Sequence, residues 1–361
     1  MGKDEKFMGM AIALALKTDP APNPRVGAVI VKNGKAIASG YHRKAGEAHA
    51  EIDALGKLKR GEAKGSTIYV TLEPCSHYGR TPPCTKAIIR AGILKVVYAV
   101  GDPTGKVKGG EELKKAGIKV QSGVLRAQAE KHNPAFYKVA KTGLPFVTLK
   151  AACSLDGKIA SKIGDSKWIS SPASRRIAHA LRAKNDAVLA GIGTVLADNP
   201  RLSARIRGAG EPLRIILDSR LRIALNARVL RGGRAVVAAN FGCSAKKKRE
   251  LESMGVRVLL FAGSKVPLKP LLRALVEIGV SSVLVEGGGE VNAGFVRQGL
   301  VDRYCFFVCP KIVGGRDAKS AVEGEGVSLV ANALKLRFEK FGKVGADILV
   351  SAVPLQKGEF G

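Results

Sequence analysis

Apolar residues recur at helical spacing over 7–17, and the three prolines of DPAPNPRVG (19–27) end that helix. The next stretch, AVIVKNGKAIASGYH (28–42), reads as a β-hairpin turning at Asn33-Gly34. Residues 49–60, HAEIDALGKLKR, return to the helical period. STIYVTL (66–72), KVVYAV (95–100) and KVQSGV (119–124) read as strands, with helices over 85–92 and 110–117 between them. This alternation predicts an α/β domain with helices on the faces of a sheet. After 129–145, Gly143 and Pro145 punctuate the approach to a new strand, FVTLKAACS (146–154), which sets a domain boundary near residue 144. Further strands are expected at 187–191, 213–218, 235–240, 256–261, 282–287 and 303–310, so the second half is α/β as well. No repeat relates the two halves.

A chain of 361 residues is long enough for two cores, and the expected division is 1–144 and 145–361. Sixty Lys and Arg against 30 Asp and Glu give a net charge of +30, a field that attracts phosphates, nucleic acid or anionic membrane. The basic residues are nevertheless spread along the chain. Their densest run, AKKKRE (245–250), reads as one solvated helical turn, so nucleic acid is not an expected partner. The apolar run near the N-terminus is too short to span a bilayer and lacks a small-residue cleavage site. No membrane association is expected, and the expected compartment is the cytoplasm. There the six cysteines (75, 84, 153, 243, 305 and 309) should be thiols or metal ligands rather than disulfides.

Two of them sit in EPCSHYGRTPPC (73–84), directly after a predicted strand. With His49 they offer one imidazole and two thiolates, three ligands of a tetrahedral Zn²⁺ site whose fourth position stays open for water. Zinc would make that water a hydroxide able to attack an electron-poor ring carbon, and Glu51, two residues from His49, would carry its proton to the leaving nitrogen. His-x-Glu followed by Pro-Cys-x-x-Cys is the mark of zinc deaminases acting on nucleobases. Here eight residues, rather than two, separate the cysteines.

The second half carries two glycine clusters after apolar strands, AGIGTVLADNPRL (190–202) and VEGGGEVNAGF (285–295). Neither completes a dinucleotide fingerprint: Leu196 and Asn292 stand where the third glycine belongs. The order strand, glycines, helix over 282–299 still suits a pyrophosphate at the helix N-terminus, against the alternative of a tight turn needing glycine. Cys305 and Cys309 lie on one face of a strand and read as core side chains, and Cys243 as a loop thiol without partners. Trp168, the sole tryptophan, is open to two readings, core side chain or cofactor edge.

HAE (49–51) with PCSHYGRTPPC (74–84), PNPRVGAVIV (22–31) and GYH (40–42) closely resembles the deaminase half of the bifunctional riboflavin-biosynthesis deaminase/reductase family. KAACSLDGKIA (150–160), WISSPASRR (168–176), LRAKNDAVLAGIGTVLADNPRLSAR (181–205), ILDSRLRI (216–223) and VEGGGEVNAGF resemble its reductase half. The resemblance spans essentially the whole chain. It implies an N-terminal cytidine-deaminase-like α/β/α zinc domain and a C-terminal dihydrofolate-reductase-like α/β domain that uses NADPH. The implied zinc ligands are His49, Cys75 and Cys84, with Glu51 as general acid/base. Asn23, His42, His77, Arg80 and Asp102 are implied to hold a phosphoribosyl pyrimidine. The family usually has Asp-Pro-Asn where this chain has Asp102-Pro103-Thr104, so that contact departs from the pattern.

In the second half the resemblance places NADPH against Cys153, Trp168, Thr194, Asp198, Ser219, Gly287, Gly288, Gly289 and Asn292. It places the substrate against Lys150, Ser166, Arg182, Leu202, Arg205 and Glu286. Chemistry suits these roles: Arg182 and Arg205 would neutralise a phosphate, while Lys150, Asp198 and Glu286 would meet ribityl hydroxyls. Ser219, Arg220 and Arg222 are expected to hold the adenosine 2′-phosphate. The implied reactions are hydrolytic zinc-hydroxide deamination of 2,5-diamino-6-(phosphoribosylamino)pyrimidinone, followed by NADPH-dependent reduction of its ribosyl chain to ribityl. A homo-oligomer, dimer or larger, is the implied assembly. The competing reading is a nucleic-acid (tRNA-type) zinc deaminase with an accessory domain, favoured by the net charge and the shared His-x-Glu.

Overall fold

The computed structural model describes residues 2–18, 20, 23–78, 82–105 and 107–355. It divides into two compact units, Met1–Gly143 and Leu144–Gly361.

The first unit runs α1 (Lys3–Ala15), β1 (Gly27–Lys32), β2 (Lys35–Tyr41), α2 (Ala50–Leu55), β3 (Thr67–Leu72), α3 (Cys84–Arg90), β4 (Lys95–Val100), α4 (Gly109–Lys115), β5 (Lys119–Ser122), α5 (Arg126–Lys131) and α6 (Pro134–Thr142). Its five-stranded sheet has the order β2-β1-β3-β4-β5. The hairpin turns at Asn33 and Gly34, both at positive φ, as a type I′ turn demands. β1 pairs antiparallel with β2 and β3, while β3, β4 and β5 are parallel. One face buries Phe7, Met8, Ala11 and Ile12 of α1 against Val29, Val31, Tyr69 and Val97, and the other buries Ala50 and Ala54 of α2 against Ile30, Ile68 and Val70. Each such aliphatic burial contributes on the order of 1.5–3 kcal/mol. α2 comes unusually close to the sheet because Gly40 faces it. A Cβ there would lie 2.3 Å from the Ala50 carbonyl oxygen. The helix stops at Leu55 rather than running to residue 60, its C-cap being Gly56.

The second unit runs β6 (Phe146–Ser154), α7 (Pro172–Ala183), β7 (Ala187–Gly191), α8 (Ile192–Asp198), β8 (Leu213–Leu217), β9 (Ala235–Asn240), α9 (Ala245–Ser253), β10 (Arg257–Phe261), α10 (Leu268–Glu277), β11 (Ser282–Val285), α11 (Gly289–Arg297), β12 (Arg303–Cys309), β13 (Leu336–Val344) and β14 (Asp347–Pro354). These strands form a nine-stranded sheet in the order β10-β9-β8-β7-β11-β6-β12-β14-β13. The strands from β10 through β12 are parallel, and β14 and β13 close that edge antiparallel. Core clusters cover both faces, as a parallel sheet requires. The apolar pattern announces no strand beyond residue 310, yet β13 and β14 are there. Phe338 and Phe341 of β13 are 67% and 76% exposed, so this strand lacks the one-sided burial that makes a strand readable. β11 lies between β6 and β7, and chain direction across the sheet reverses there. The crevice above the C-terminal ends of these strands is where open α/β sheets bind ligands.

Candidate active sites

In the first unit three elements deliver the metal-binding side chains. His49 is the N-cap of α2, Cys75 lies three residues beyond the end of β3, and Cys84 opens α3. His49 Nδ1 is 3.5 Å from Cys75 Sγ and 3.3 Å from Cys84 Sγ, and all three ligand atoms lie within 4.8 Å of one another. Tetrahedral zinc, with Zn–S of about 2.3 Å and Zn–N of about 2.0 Å, requires an N···S separation of roughly 3.5 Å. The donors therefore fit the ion. The backbone N–H of Cys84 donates to Cys75 Sγ at 3.3 Å. The Cys84 thiol and His49 also hydrogen-bond Cys75, and together they hold its thiol at about 4, against the cost of burial. Glu51 is buried beside this group without joining it. Burial raises its carboxyl to about 7, while its own backbone N–H and His49 pull the other way.

His42 is 3% exposed. Its Nδ1 lies 3.0 Å from the Ala48 carbonyl, which can only accept, so Nδ1 carries the proton and Nε2 accepts from Asn23 Nδ2 at 2.9 Å. Its ring meets that of His49 edge-on at 5.4 Å. His42 thus orients Asn23 and the residue before His49. His77 is exposed, and Arg80 lies outside the described residues. Asp102 accepts from the Thr104 N–H at 2.7 Å and from the Thr104 hydroxyl, so Thr104 folds back on the aspartate.

Glu73 and Ser76 were not singled out by sequence. Glu73 accepts from Asp102 N at 3.0 Å and Gly110 N at 2.8 Å, and Ser76 Oγ accepts from Lys108 N at 3.0 Å. These bonds bracket Cys75 and staple the metal segment to the loop of Asp102. Gly109 permits the approach, since a Cβ there would overlap the Pro74 carbonyl. The only signal was position, Glu73 standing two residues before a ligand.

In the second unit a cleft of about 560 Å³ is lined by β6, by Phe307 of β12 and by the segments that follow β7 and β11. Lys150, Ser166, Arg182, Leu202, Arg205 and Glu286 line it, as do Trp168, Thr194, Asp198, Gly287 and Gly288. Glu286 is its electrostatic centre. Arg182 donates from Nε at 2.6 Å and Nη2 at 2.9 Å to the two carboxylate oxygens, and Lys150 Nζ stands 3.5 Å away. Burial disfavours the charged carboxylate, but these two cations overcome it and hold it at about 2. Arg182 Nη1 also reaches the Ser203 carbonyl at 3.2 Å, so the guanidinium is held in place where it lines the cleft. Asp198 holds the loop opposite through Ser166 Oγ and Lys167 Nζ, each at 3.3 Å. Trp168 is 63% exposed, with the Arg175 guanidinium 4.5 Å from its ring centre, a cleft-edge residue rather than core.

Cys153, Ser219, Gly289 and Asn292 do not line this cleft. Cys153 packs with Ala151 and Ala321, and Ser219 Oγ accepts from Val266 N at 3.3 Å. Gly289 faces residues 320–323, where a Cβ would clash. Asn292 is fully buried and donates to the Ala321 carbonyl at 2.8 Å, while its Oδ1 has no partner. Arg220 and Arg222 are exposed away from the cleft lining. The half-buried glycines 287 and 288 line the cleft just before the N-terminus of α11, and Gly288, with Thr194 Oγ1 3.8 Å from where its Cβ would lie, leaves its backbone open to a dinucleotide's phosphates, so the lining fits NADPH. Arg201, His179 and Arg228 also line it and were not singled out by sequence.

Residues 1–100 match the family described as the cytidine and deoxycytidylate deaminase zinc-binding region, and residues 145–350 match the RibD C-terminal domain. The riboflavin biosynthesis protein RibD of Bacillus amyloliquefaciens is 43% identical, over 97% of this chain and 96% of its own length. That of Aquifex aeolicus is 42% identical, over 96% and 97%. Among solved structures, Acinetobacter baumannii RibD superposes with a TM-score of 0.89 at 38% identity, covering 98% of this chain and 99% of that one. A diaminohydroxyphosphoribosylaminopyrimidine deaminase/5-amino-6-(5-phosphoribosylamino)uracil reductase from Thermotoga maritima does so at 0.83 and 37%, with the same coverage. Converging metal ligands in one unit, a charged cleft in the other and near-complete alignment to these enzymes lead to one assignment: the chain belongs to the RibD family.

Proposed function

We infer that residues 1–144 deaminate 2,5-diamino-6-(phosphoribosylamino)pyrimidinone and that residues 145–361 reduce the ribosyl chain of the product to ribityl. The chain is a bifunctional deaminase and reductase of riboflavin biosynthesis, using zinc and NADPH. The observation that carries the first reading is the convergence of His49, Cys75 and Cys84 beside the buried carboxyl of Glu51. Zinc on these ligands supplies a water acidic enough to attack at neutral pH. With zinc bound, Glu51 would take the proton from that water and hand it to the departing amine, which would leave as ammonia while oxygen stays on the ring carbon. A carboxyl poised near neutrality suits a group that must accept and release one proton. Asn23, fixed by His42, presents its carbonyl to a ring N–H, and Asp102 and His77 border the same loops.

In the second unit NADPH supplies the hydride, and the cleft orients the carbon that receives it. Glu286 stays ionised and fixes Lys150 and Arg182 around the ribosyl chain. Being held at about 2, it is not the proton donor at neutral pH. Ser166 and Asp198 face the same space from the opposite loop.

The chain acts on a small molecule, and among the described residues no helix is long and apolar enough to cross a membrane. A cytoplasmic location and a homo-oligomer complete the reading, supported by six free cysteines and by the family resemblance. The nucleic-acid deaminase alternative leaves the second unit without a task. Zinc content, ammonia release and NADPH oxidation, all measured with the phosphoribosyl pyrimidine, test the proposal. Ammonia release without NADPH consumption would remove the second half of it.

A further inference from the structure

The segment that carries Asn23 has few backbone donors with which to fix itself. DPAPNPR (19–25) has a proline at every second position from 20 to 24, and proline has no N–H. Asn23 N closes one turn on the Pro20 carbonyl at 3.0 Å, and further holds come from distant elements. His42 supplies two: its Nε2 accepts from Asn23 Nδ2 at 2.9 Å, and its backbone N–H donates to the Val26 carbonyl at 2.9 Å. Residue 25 is gripped from 108 positions further on. Arg25 N donates to Asn133 Oδ1 at 2.8 Å, and Asn133 Nδ2 donates to the Arg25 carbonyl at 2.9 Å. One side-chain amide thus pairs with both polar groups of one backbone residue, as the opposite residue of an antiparallel strand would.

This grip leaves α6 without a side-chain cap. Asn133 is the N-cap of that helix, where an asparagine ordinarily accepts from the N–H of N2 or N3. Here it makes no such bond, and Pro134 at the first helical position has no N–H to satisfy. The side chain is turned from its own helix to Arg25. His49, Cys75, Cys84, Glu51 and Asn23 all lie within residues 1–100, whereas the hold on Arg25 comes from the helices α5 and α6 that follow. We propose that Asn133 is a positioning residue of the deamination site: by fixing the Arg25 backbone it sets where Asn23, two residues away, stands for the pyrimidine. The inference rests on reading the first unit as the pyrimidine deaminase and Asn23 as a substrate contact. His42 fixes the Asn23 side chain and Asn133 the backbone beside it, and neither is among the metal ligands.

The test uses the full chain carrying Asn133→Ser or Asn133→Ala. Serine is a good N-cap, so the first variant gives α6 a cap of its own, while a single hydroxyl cannot pair with both groups of Arg25. Both variants should show a deaminase KM about tenfold higher with kcat within about twofold of wild type, and zinc content and reductase rate unchanged. The unfolding midpoint separates positioning from plain support. It should fall less in Asn133→Ser than in Asn133→Ala, while KM rises alike in both. An unchanged KM overturns the proposal, as does a KM that follows the midpoint or a joint loss of zinc and kcat. Hydrogen exchange gives a readout free of turnover: the amides of residues 23–27 should exchange faster in both variants, with those of β3 and β4 unchanged. Unaltered exchange at 23–27 also overturns it. A wild type that binds zinc but releases no ammonia would defeat the deaminase reading, and the exchange would still decide whether Asn133 holds the segment.

Discussion

The two sites solve the same problem, holding charge in a fold, by opposite means. In the first unit the groups lie at touching distance, His49 against both sulfurs with Glu51 buried beside them, and everything depends on one cation. In the second, charge is spread over an open cleft, and the protein supplies both signs: Glu286 against Arg182 and Lys150, with Arg201, Arg205 and Arg228 along the same lining. A compact site should fail completely on a single change. A distributed one should degrade by steps.

The sharpest break in the first site is Glu51→Gln. It should lower ammonia release by about 10³-fold, within the range of a lost general acid/base, while metal analysis still finds one zinc per chain. Loss of zinc together with activity would make Glu51 structural.

In the second site the largest single effect should come from Glu286→Gln, which leaves Arg182 and Lys150 buried around a neutral amide. Removing one partner of a buried pair costs about 3–5 kcal/mol, so reductase turnover and the unfolding midpoint should both fall while deaminase kcat at 25 °C holds. The pair also has a pH signature. The Glu286 carboxyl is depressed from 4.5 to about 2, so its stabilisation is fully present above 4.5 and is lost as pH falls towards 2. The stability gap between wild type and Glu286→Gln should therefore shrink across that window in acid denaturation. A gap constant from pH 5 to pH 2 would mean the carboxylate is not held by its cations.

A smaller effect is expected from Glu73→Gln. Two backbone N–H groups, of Asp102 and Gly110, need two acceptor oxygens, and glutamine offers one. Deaminase KM should rise roughly tenfold with zinc content unchanged, a split that loss of stability alone would not give.

The same contrast explains what could be read from the chain. His49, Cys75 and Cys84 were legible because metal ligation restricts residue type, and the Asn33-Gly34 hairpin because positive φ does. Arg182 was legible as a cleft residue but not as the partner of Glu286, 104 positions away. His42 was expected to meet substrate. Its burial and its two hydrogen bonds are tertiary facts with no local signature. β13 escaped because both its faces are exposed.

The central claim, two sites of different construction in one chain, is tested most directly by His49→Ala. Given the deaminated pyrimidine, this variant should oxidise NADPH within about twofold of wild type, and given the original diaminopyrimidine it should release no ammonia and bind no zinc. Loss of NADPH oxidation together with zinc would contradict the account, because the second site would then depend on the metal of the first.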